Sequence, residues 1–358
     1  MKKMALISNL YPSESYPYKG TFVKNIKDKL EETYSIDVIT VDDNKGKLLK
    51  YLSFYSKILQ NLCFNHYDII YVHFISHSIL PVCLLKFLGK KFRVIAHVHG
   101  ADVISEKRTS RLWARLKTVL AKIGFYYTNT VIFPSEYYKD LVSSKYNLKK
   151  HTLRISPSGG VELKKFRSYE IDKIYKFCFV GRIESDKGVF DFIESLAKFK
   201  SKGCSYKAVI CGTGSESIRL KNEIDILGLN KDVTILEGMD QSKLVNLYNQ
   251  SEFFIFPTKR ISESLGLVGL EAMACGIPVV ATNNYGPKTY IDHEMNGYLF
   301  DEENSEGLFI AMSQCINLDD GHYKEMSIRA KEKAKLYCSK KVSKNLFEII
   351  NKEGNNND

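Results

Sequence analysis

Short apolar runs rich in β-branched and aromatic residues recur along this chain, and each is followed by a longer segment with helical spacing. In the first half the runs are Met4–Ser8, Ile36–Val41, Ile69–Phe74, Phe92–His97, Thr130–Pro134 and Leu153–Ser156. In the second they are Phe177–Gly181, Ala208–Gly212, Val233–Leu236, Phe253–Pro257 and Pro278–Thr282. Strands alternating with helices make parallel sheets covered on both faces. Two such sets predict an α/β protein with two doubly wound, Rossmann-like domains, and 358 residues suffice for both. The weakly apolar Glu162–Lys176 is the natural seam. It gives domains 1–172 and 173–339 and a final segment 340–358, whose last six residues read as a frayed tail.

The net charge of +11 is unevenly placed. Residues 1–172 carry 28 Lys+Arg and 15 Asp+Glu, a net of +13; residues 173–358 carry 24 and 26, a net of −2. A basic first half suits nucleic acid, an anionic membrane or a phosphorylated substrate. No stretch approaches the roughly 18 apolar residues of a spanning helix. The N-terminus reaches polar Ser8-Asn9 too early for a signal peptide and reads as a first strand. None of the eight cysteines forms a C-x-x-C pair, so they read as reduced core thiols of a cytosolic protein, not a disulfide frame or zinc site. No metal-ligand cluster stands out.

The run Glu263-Ser264-Leu265-Gly266-Leu267-Val268-Gly269-Leu270-Glu271-Ala272-Met273-Ala274-Cys275-Gly276-Ile277-Pro278 carries the most chemistry. A helix starting near Gly266 puts Glu263 in the loop before it and Glu271 on its second turn, so both face one ligand. The glycines let backbone approach that ligand, and the helix start offers free N–H groups to anions. Acids for hydroxyls and N–H groups for phosphate are what a nucleotide sugar needs.

This segment resembles the E-x7-E signature of retaining glycosyltransferases of family 4, which have the GT-B fold. The resemblance implies that Glu271 accepts hydrogen bonds from ribose hydroxyls, that Glu263 faces the donor sugar, and that the N–H groups of Leu267 and Val268 lie near the phosphates. Ser264-Leu265-Gly266 departs from the family's common Gly-Phe-Gly, which changes the wall near the sugar. Gly181-Arg182 and Lys187-Gly188 resemble the family's Val-Gly-Arg…Lys-Gly element. There Arg182 and Lys187 clamp the diphosphate and stabilise its charge as it leaves. His99-Gly100-Ala101-Asp102 resembles the His-Gly-x-Asp element of the first domain. It places His99 at the donor sugar, with Asp102 touching the acceptor or orienting the loop. His97 alternates with His99 and is expected to point the opposite way, into the core. Gly20, in Tyr18-Lys19-Gly20, fits the family's first glycine loop. Gly212 fits its Gly-x-Gly, and Gly238-Met239 the segment lining the nucleobase.

The resemblance implies a first domain for the acceptor, a second for the donor, and a final helix crossing back to the first. Lys107–Tyr127 reads as a basic amphipathic helix. Its apolar stripe is Leu112, Leu116, Val119, Leu120 and Ile123, and Arg108, Arg111 and Arg115 lie on a neighbouring face. Such a helix either lies on anionic lipid or packs into the core with a solvated basic face.

The chain thus reads as a retaining glycosyltransferase using a nucleotide sugar, most simply UDP-linked. Its acceptor is a lipid-linked (polyprenyl diphosphate) oligosaccharide of O-antigen or capsule assembly. No cofactor or metal is required, and no nucleic acid is bound. Its place is the cytoplasm, peripheral on the inner face of the plasma membrane. A GT-B sugar-nucleotide epimerase and a basic nucleic-acid-binding protein are the alternatives. An NAD-dependent oxidoreductase is disfavoured by the lack of G-x-G-x-x-G after the first strand.

Overall fold

In the computed structural model the chain divides into two compact units, Met1–Gly160 with Lys340–Asp358, and Val161–Ser339. The structure describes all residues except Ser15, Pro17, Tyr18, Lys107, Arg108, Glu303, Ser305 and 355–358, together with the side chains of Lys47 and Glu353. The frayed-tail reading therefore lies largely outside the described residues. The seam lies between Gly160 and Val161, just ahead of the weakly apolar segment, so residues 161–172 belong to the second unit and not to the first. Val161 already bridges Cys338, and Phe166 is buried in the core of the second unit.

The first unit holds six strands: β1 (Lys3–Ser8), β2 (Ser35–Thr40), β3 (Ile69–His73), β4 (Arg93–His97), β5 (Thr130–Phe133) and β6 (Thr152–Ile155). They are parallel in the order β2-β1-β3-β4-β5-β6. Alternate residues feed the two faces. Ala5, Ile7, Ile70 and Val72 pack on the helix Lys47–Phe64, through its Phe54, Ile58 and Leu62. Met4, Leu6, Ile69 and Tyr71 pack on the helix Thr21–Leu30 and on Leu346, Ile349 and Ile350 of the final helix Ser339–Gly354.

The second unit holds β7 (Tyr175–Val180), β8 (Ala208–Cys211), β9 (Val233–Leu236), β10 (Ser251–Phe256), β11 (Val279–Thr282) and β12 (Gly297–Phe300). Their order is β12-β11-β10-β7-β8-β9, again parallel. Read from the other edge, this is the Rossmann order, with the direction of winding reversing between β7 and β10. Strand β12 has no counterpart among the apolar runs. Its Gly297 lies so close to β11 that a Cβ would stand 2.1 Å from the carbonyl oxygen of Val279.

All eight cysteines are unpaired; five are buried, but Cys63 is exposed at the end of its helix. Among the described residues no helix is long and apolar enough to cross a membrane.

Candidate active site

In an open parallel sheet, ligands bind beyond the carboxyl ends of the strands, where the winding reverses. In the second unit that point lies between β7 and β10. Strand β7 runs into Gly181-Arg182 and the short 3-10 turn Ser185–Lys187. Strand β10 runs into the loop bearing Glu263. The two loops meet in an ion pair between Lys187 Nζ and Glu263 Oε2, each side chain only 14% exposed. Thr258 Oγ1 donates to the same carboxylate oxygen at 3.4 Å. The ammonium group also lies 5.7 Å from the centre of the Phe256 ring. Gly188 makes this turn possible: its φ is +73°, and a Cβ would stand 1.9 Å from the carbonyl oxygen of Pro257. Arg182 is exposed at the end of β7.

Helix Leu267–Ala274 follows the Glu263 loop, with Gly266 in the left-handed region at its N-cap, φ +80°. Leu267 and Val268 therefore sit at a helix start, where N–H groups face outward and the helix dipole favours an anion. The buried Tyr290 braces this start, its hydroxyl donating to Gly266 O at 2.9 Å. Glu271, on the next turn, is buried and accepts from Gln241 Nε2 at 3.2 Å. Burial pushes its carboxyl up to about 8, opposed by the charge of Lys165 and by the Gln241 bond. At neutral pH this burial favours the protonated form of Glu271.

The glycines expected along the donor differ in role. Gly212 is a packing residue, since a Cβ there would stand 1.8 Å from Gly181 O. Gly238 meets almost nothing, with Thr213 Oγ1 at 3.9 Å the nearest atom to such a Cβ, and Gly181 meets only the Phe179 ring at 3.6 Å. Met239 is half-buried and packs on the core beside β9.

In the first unit the strand ends of β3 and β4 lie side by side, with His73 in register with His97. Two residues on, His99 packs among Phe22, Phe74, His73 and His97, at ring-centre distances of 4.8, 4.7, 5.1 and 4.4 Å. This corrects the expected opposition of His97 and His99. The strand ends at His97, so its alternation lapses before His99, and the two imidazoles stack. His97 is buried and hydrogen-bonded through Nδ1 to Tyr71 Oη at 2.7 Å. Desolvation holds all three imidazoles below their ordinary range, His97 at about 3, so each is neutral at pH 7.

His73, His97 and His99 bring ring nitrogens within 4.8 Å of one another, a grouping that the sequence did not display. The geometry is that of a hydrogen bond. His73 Nδ1 and His99 Nε2 lie 2.8 Å apart in nearly parallel rings, so one of these nitrogens carries the proton and the other accepts it.

Asp102 is buried, and its Oδ1 accepts from the N–H groups of His99 at 3.1 Å and Gly100 at 2.9 Å. Of its two expected uses the structure displays the bracing of its own loop. Desolvation raises its carboxyl to about 6 against these bonds. Gly20, φ +68°, caps the helix that carries Phe22 to His99. Tyr18 and Arg108 lie outside the described residues. Arg111 and Arg115 are exposed on the helix Arg111–Tyr126. Sequence reasoning missed His73, Gln241, Thr258 and Tyr290. Only the histidine at a strand end carried a signal, and it needed the sheet register to be heard.

Comparison with known proteins agrees with this geometry. Residues 161–335 match the family described as Glycosyl transferases group 1, and residues 22–159 the one described as Glycosyltransferase Family 4. The chain is 25% identical over 278 residues to the capsular polysaccharide biosynthesis glycosyltransferase CapM of Staphylococcus aureus, covering 67% of this chain and 71% of that one. It is 24% identical over 272 residues to the N-acetyl-alpha-D-glucosaminyl L-malate synthase of Bacillus anthracis, covering 74% and 69%. Among solved structures, Anabaena HepE in complex with UDP aligns with a TM-score of 0.76 at 19% identity, over 98% of this chain and 100% of that one. Two six-stranded parallel sheets and these two matched segments make the chain a glycosyltransferase of the GT-B fold.

Proposed function

We propose that the protein is a retaining glycosyltransferase that moves a sugar from a UDP-linked donor to a hydroxyl of a lipid-linked oligosaccharide, in the assembly of a surface polysaccharide such as O-antigen or capsule. The observation that carries this reading is the Lys187–Glu263 pair beside the start of helix Leu267–Ala274, with Glu271 buried one turn further on. In this reading the donor diphosphate takes the N–H groups of Leu267 and Val268 together with Lys187 and Arg182. Lys187 leaves Glu263 for the phosphate, and the freed carboxylate turns to the sugar hydroxyls. Glu271 accepts from the ribose. Gly181, Gly212, Gly238 and Met239 line the nucleotide, and Gly238 leaves room at its backbone for a flat ring.

As the glycosidic bond breaks, charge grows on the departing diphosphate, and groups fixed around it stabilise the transition state more than the ground state. Arg182 and Lys187 carry that role, and the reaction runs without a metal. The leaving phosphate accepts the proton of the attacking hydroxyl on the same face, so the anomeric configuration is retained. The first unit handles the acceptor. There the neutral His99 offers a hydrogen bond to the sugar, and Asp102 holds its loop. CapM and HepE support the reading through the roles in their names, capsular polysaccharide synthesis for one and UDP binding for the other. The basic first half and the exposed basic residues of the helix Arg111–Tyr126 support a place on the inner face of the membrane.

The test is calorimetric titration of the purified chain with UDP, in buffer with and without EDTA, followed by transfer assays with UDP-sugars. Saturable, EDTA-insensitive UDP binding that Arg182→Ala weakens supports the reading. Failure of UDP to bind overturns it.

A further inference from the structure

Helix Arg111–Tyr126 buries only Ala121, Gly124 and Phe125. Its large apolar residues face outward: Leu112 is 81% exposed and Val119 51%. Helix Lys47–Phe64 likewise exposes Leu49 and Leu52. Residues of both helices line one groove of about 600 Å³, a volume typical of small-ligand sites. Leu48, Tyr51, Trp113 and Leu120 form its apolar walls, and Ser76 and Lys117 stand at its polar part. That polar part adjoins the loop of His99 and Asp102. Lys117 Nζ donates to Ala101 O at 2.8 Å, and Ser76 Oγ donates to the carbonyl oxygen of Asp102.

We propose that this groove holds the first isoprenoid units of a polyprenyl diphosphate-linked acceptor, with the diphosphate on Lys117. The inference rests on the reading above that the acceptor is lipid-linked, and it adds where the lipid sits. Three observations choose this occupant. The exposed leucines on both helices give a hydrocarbon chain an apolar path from a bilayer into the groove. Lys117 is half-buried, burial lowers its affinity for the proton against the opposing charges of Asp102 and Glu106, and its ammonium group donates to the Ala101 carbonyl, so an anion arriving there meets a cation already held in place. Arg111 and Arg115 add positive charge on the same helix. A diphosphate on Lys117 would set the sugar attached to it beside the His99–Asp102 loop.

Trp113 is the only tryptophan of the chain and lines the groove, so its emission reports occupancy directly. The full chain is titrated with farnesyl diphosphate, with inorganic diphosphate as the control. The expected result is a saturable change in Trp113 emission with farnesyl diphosphate and none with inorganic diphosphate at the same concentrations. Leu120→Glu puts a charge in the apolar wall and should raise the dissociation constant at least about tenfold. Leu48→Glu, at a position 75% exposed and so tolerant of charge in the fold, should do the same. A cooperative thermal unfolding transition of the first unit, as in the wild type, serves as the folding control for both. Unchanged emission with farnesyl diphosphate, or equal binding by wild type and Leu48→Glu, overturns the proposal.

The acceptor reading itself is separated by a second measurement. If a sugar acceptor without lipid is used as well as its prenyl diphosphate-linked form, the lipid-linked acceptor fails and the groove falls with it. If the lipid is required but Leu48→Glu and Leu120→Glu leave the KM for that acceptor unchanged, the groove alone fails.

Discussion

Glu271 is held protonated by burial, and this couples folding and nucleotide binding to pH. Its carboxyl is raised from 4.5 to about 8, chiefly by desolvation. A group whose folded value lies above its unfolded one stabilises the fold fully below the unfolded value and loses that contribution as pH rises through the folded one. The window is therefore pH 4.5 to about 8. Within it the folded state holds one more proton than the unfolded, so stability falls by up to about 1.4 kcal/mol per pH unit. Between pH 5 and 8 the loss attributable to this group is roughly 3 kcal/mol. Glu271→Gln keeps the shape of the protonated acid and removes the titration. Thermal unfolding of the second unit's transition, followed from pH 5 to 8.5 in both proteins, should show the variant overtaking wild type at the alkaline end. A gap of 3 kcal/mol in a unit of this size corresponds to about 6–12 °C. The comparison isolates Glu271 from Asp102, whose carboxyl is also raised. The carboxylate accepts from two ribose hydroxyls better than the protonated acid does, so UDP affinity of the wild type should rise by up to about tenfold from pH 7 to 9, with proton release at pH 7. In Glu271→Gln it should be weaker and flat. Parallel melting curves for the two proteins, or UDP binding without proton release, would refute the reasoning.

Arg182→Ala and Lys187→Ala should each lower turnover at least about tenfold at saturating donor, and together by less than the product, because both act on one diphosphate; near wild-type turnover in both single variants removes the clamp. Lys187→Ala also strands Glu263 in a poorly exposed site, which destabilises by about 3 kcal/mol in urea melts, and Lys187→Ala with Glu263→Gln should recover much of it. Gly188→Ala combines an unfavourable φ with the Pro257 carbonyl contact and should cost well over about 1 kcal/mol by the same measurement, whereas Gly238→Ala should leave stability unchanged and weaken UDP binding. Replacing Arg108, Arg111 and Arg115 by Glu should abolish co-sedimentation with anionic vesicles at low salt, since each basic residue near such a surface contributes about 1 kcal/mol. Sedimentation of the triple variant like wild type would mean that those arginines are merely solvated.

The helix Arg111–Tyr126 shows best what a sequence tells and what it withholds. The spacing of Leu112, Leu116, Val119, Leu120 and Ile123 is visible in the sequence, but spacing says only which residues share a face, not which face turns inward. In the fold the inward face is Ala121, Gly124 and Phe125. A Cβ on Gly124 would stand 2.8 Å from Ile79 Cγ2 and 2.9 Å from Ile75 Cγ1, so the helix lies against Ile75 and Ile79 at a distance only glycine permits. That approach leaves the leucines outside. The strand ends behave alike. The start of helix Leu267–Ala274 was readable because Gly266 and the spacing of the two glutamates are local signals, and the strands because β-branched runs are local too. The meeting of His73 with His99, and of Gln241 with Glu271, depends on which strand lies beside which and on how far each helix is turned. Those are set by packing over the whole sheet. A chain met as sequence alone therefore yields its elements and its loops of interest. The partner that fixes a side chain at the site, and the face that a helix leaves outward, come from the sum of contacts that no single stretch of residues contains.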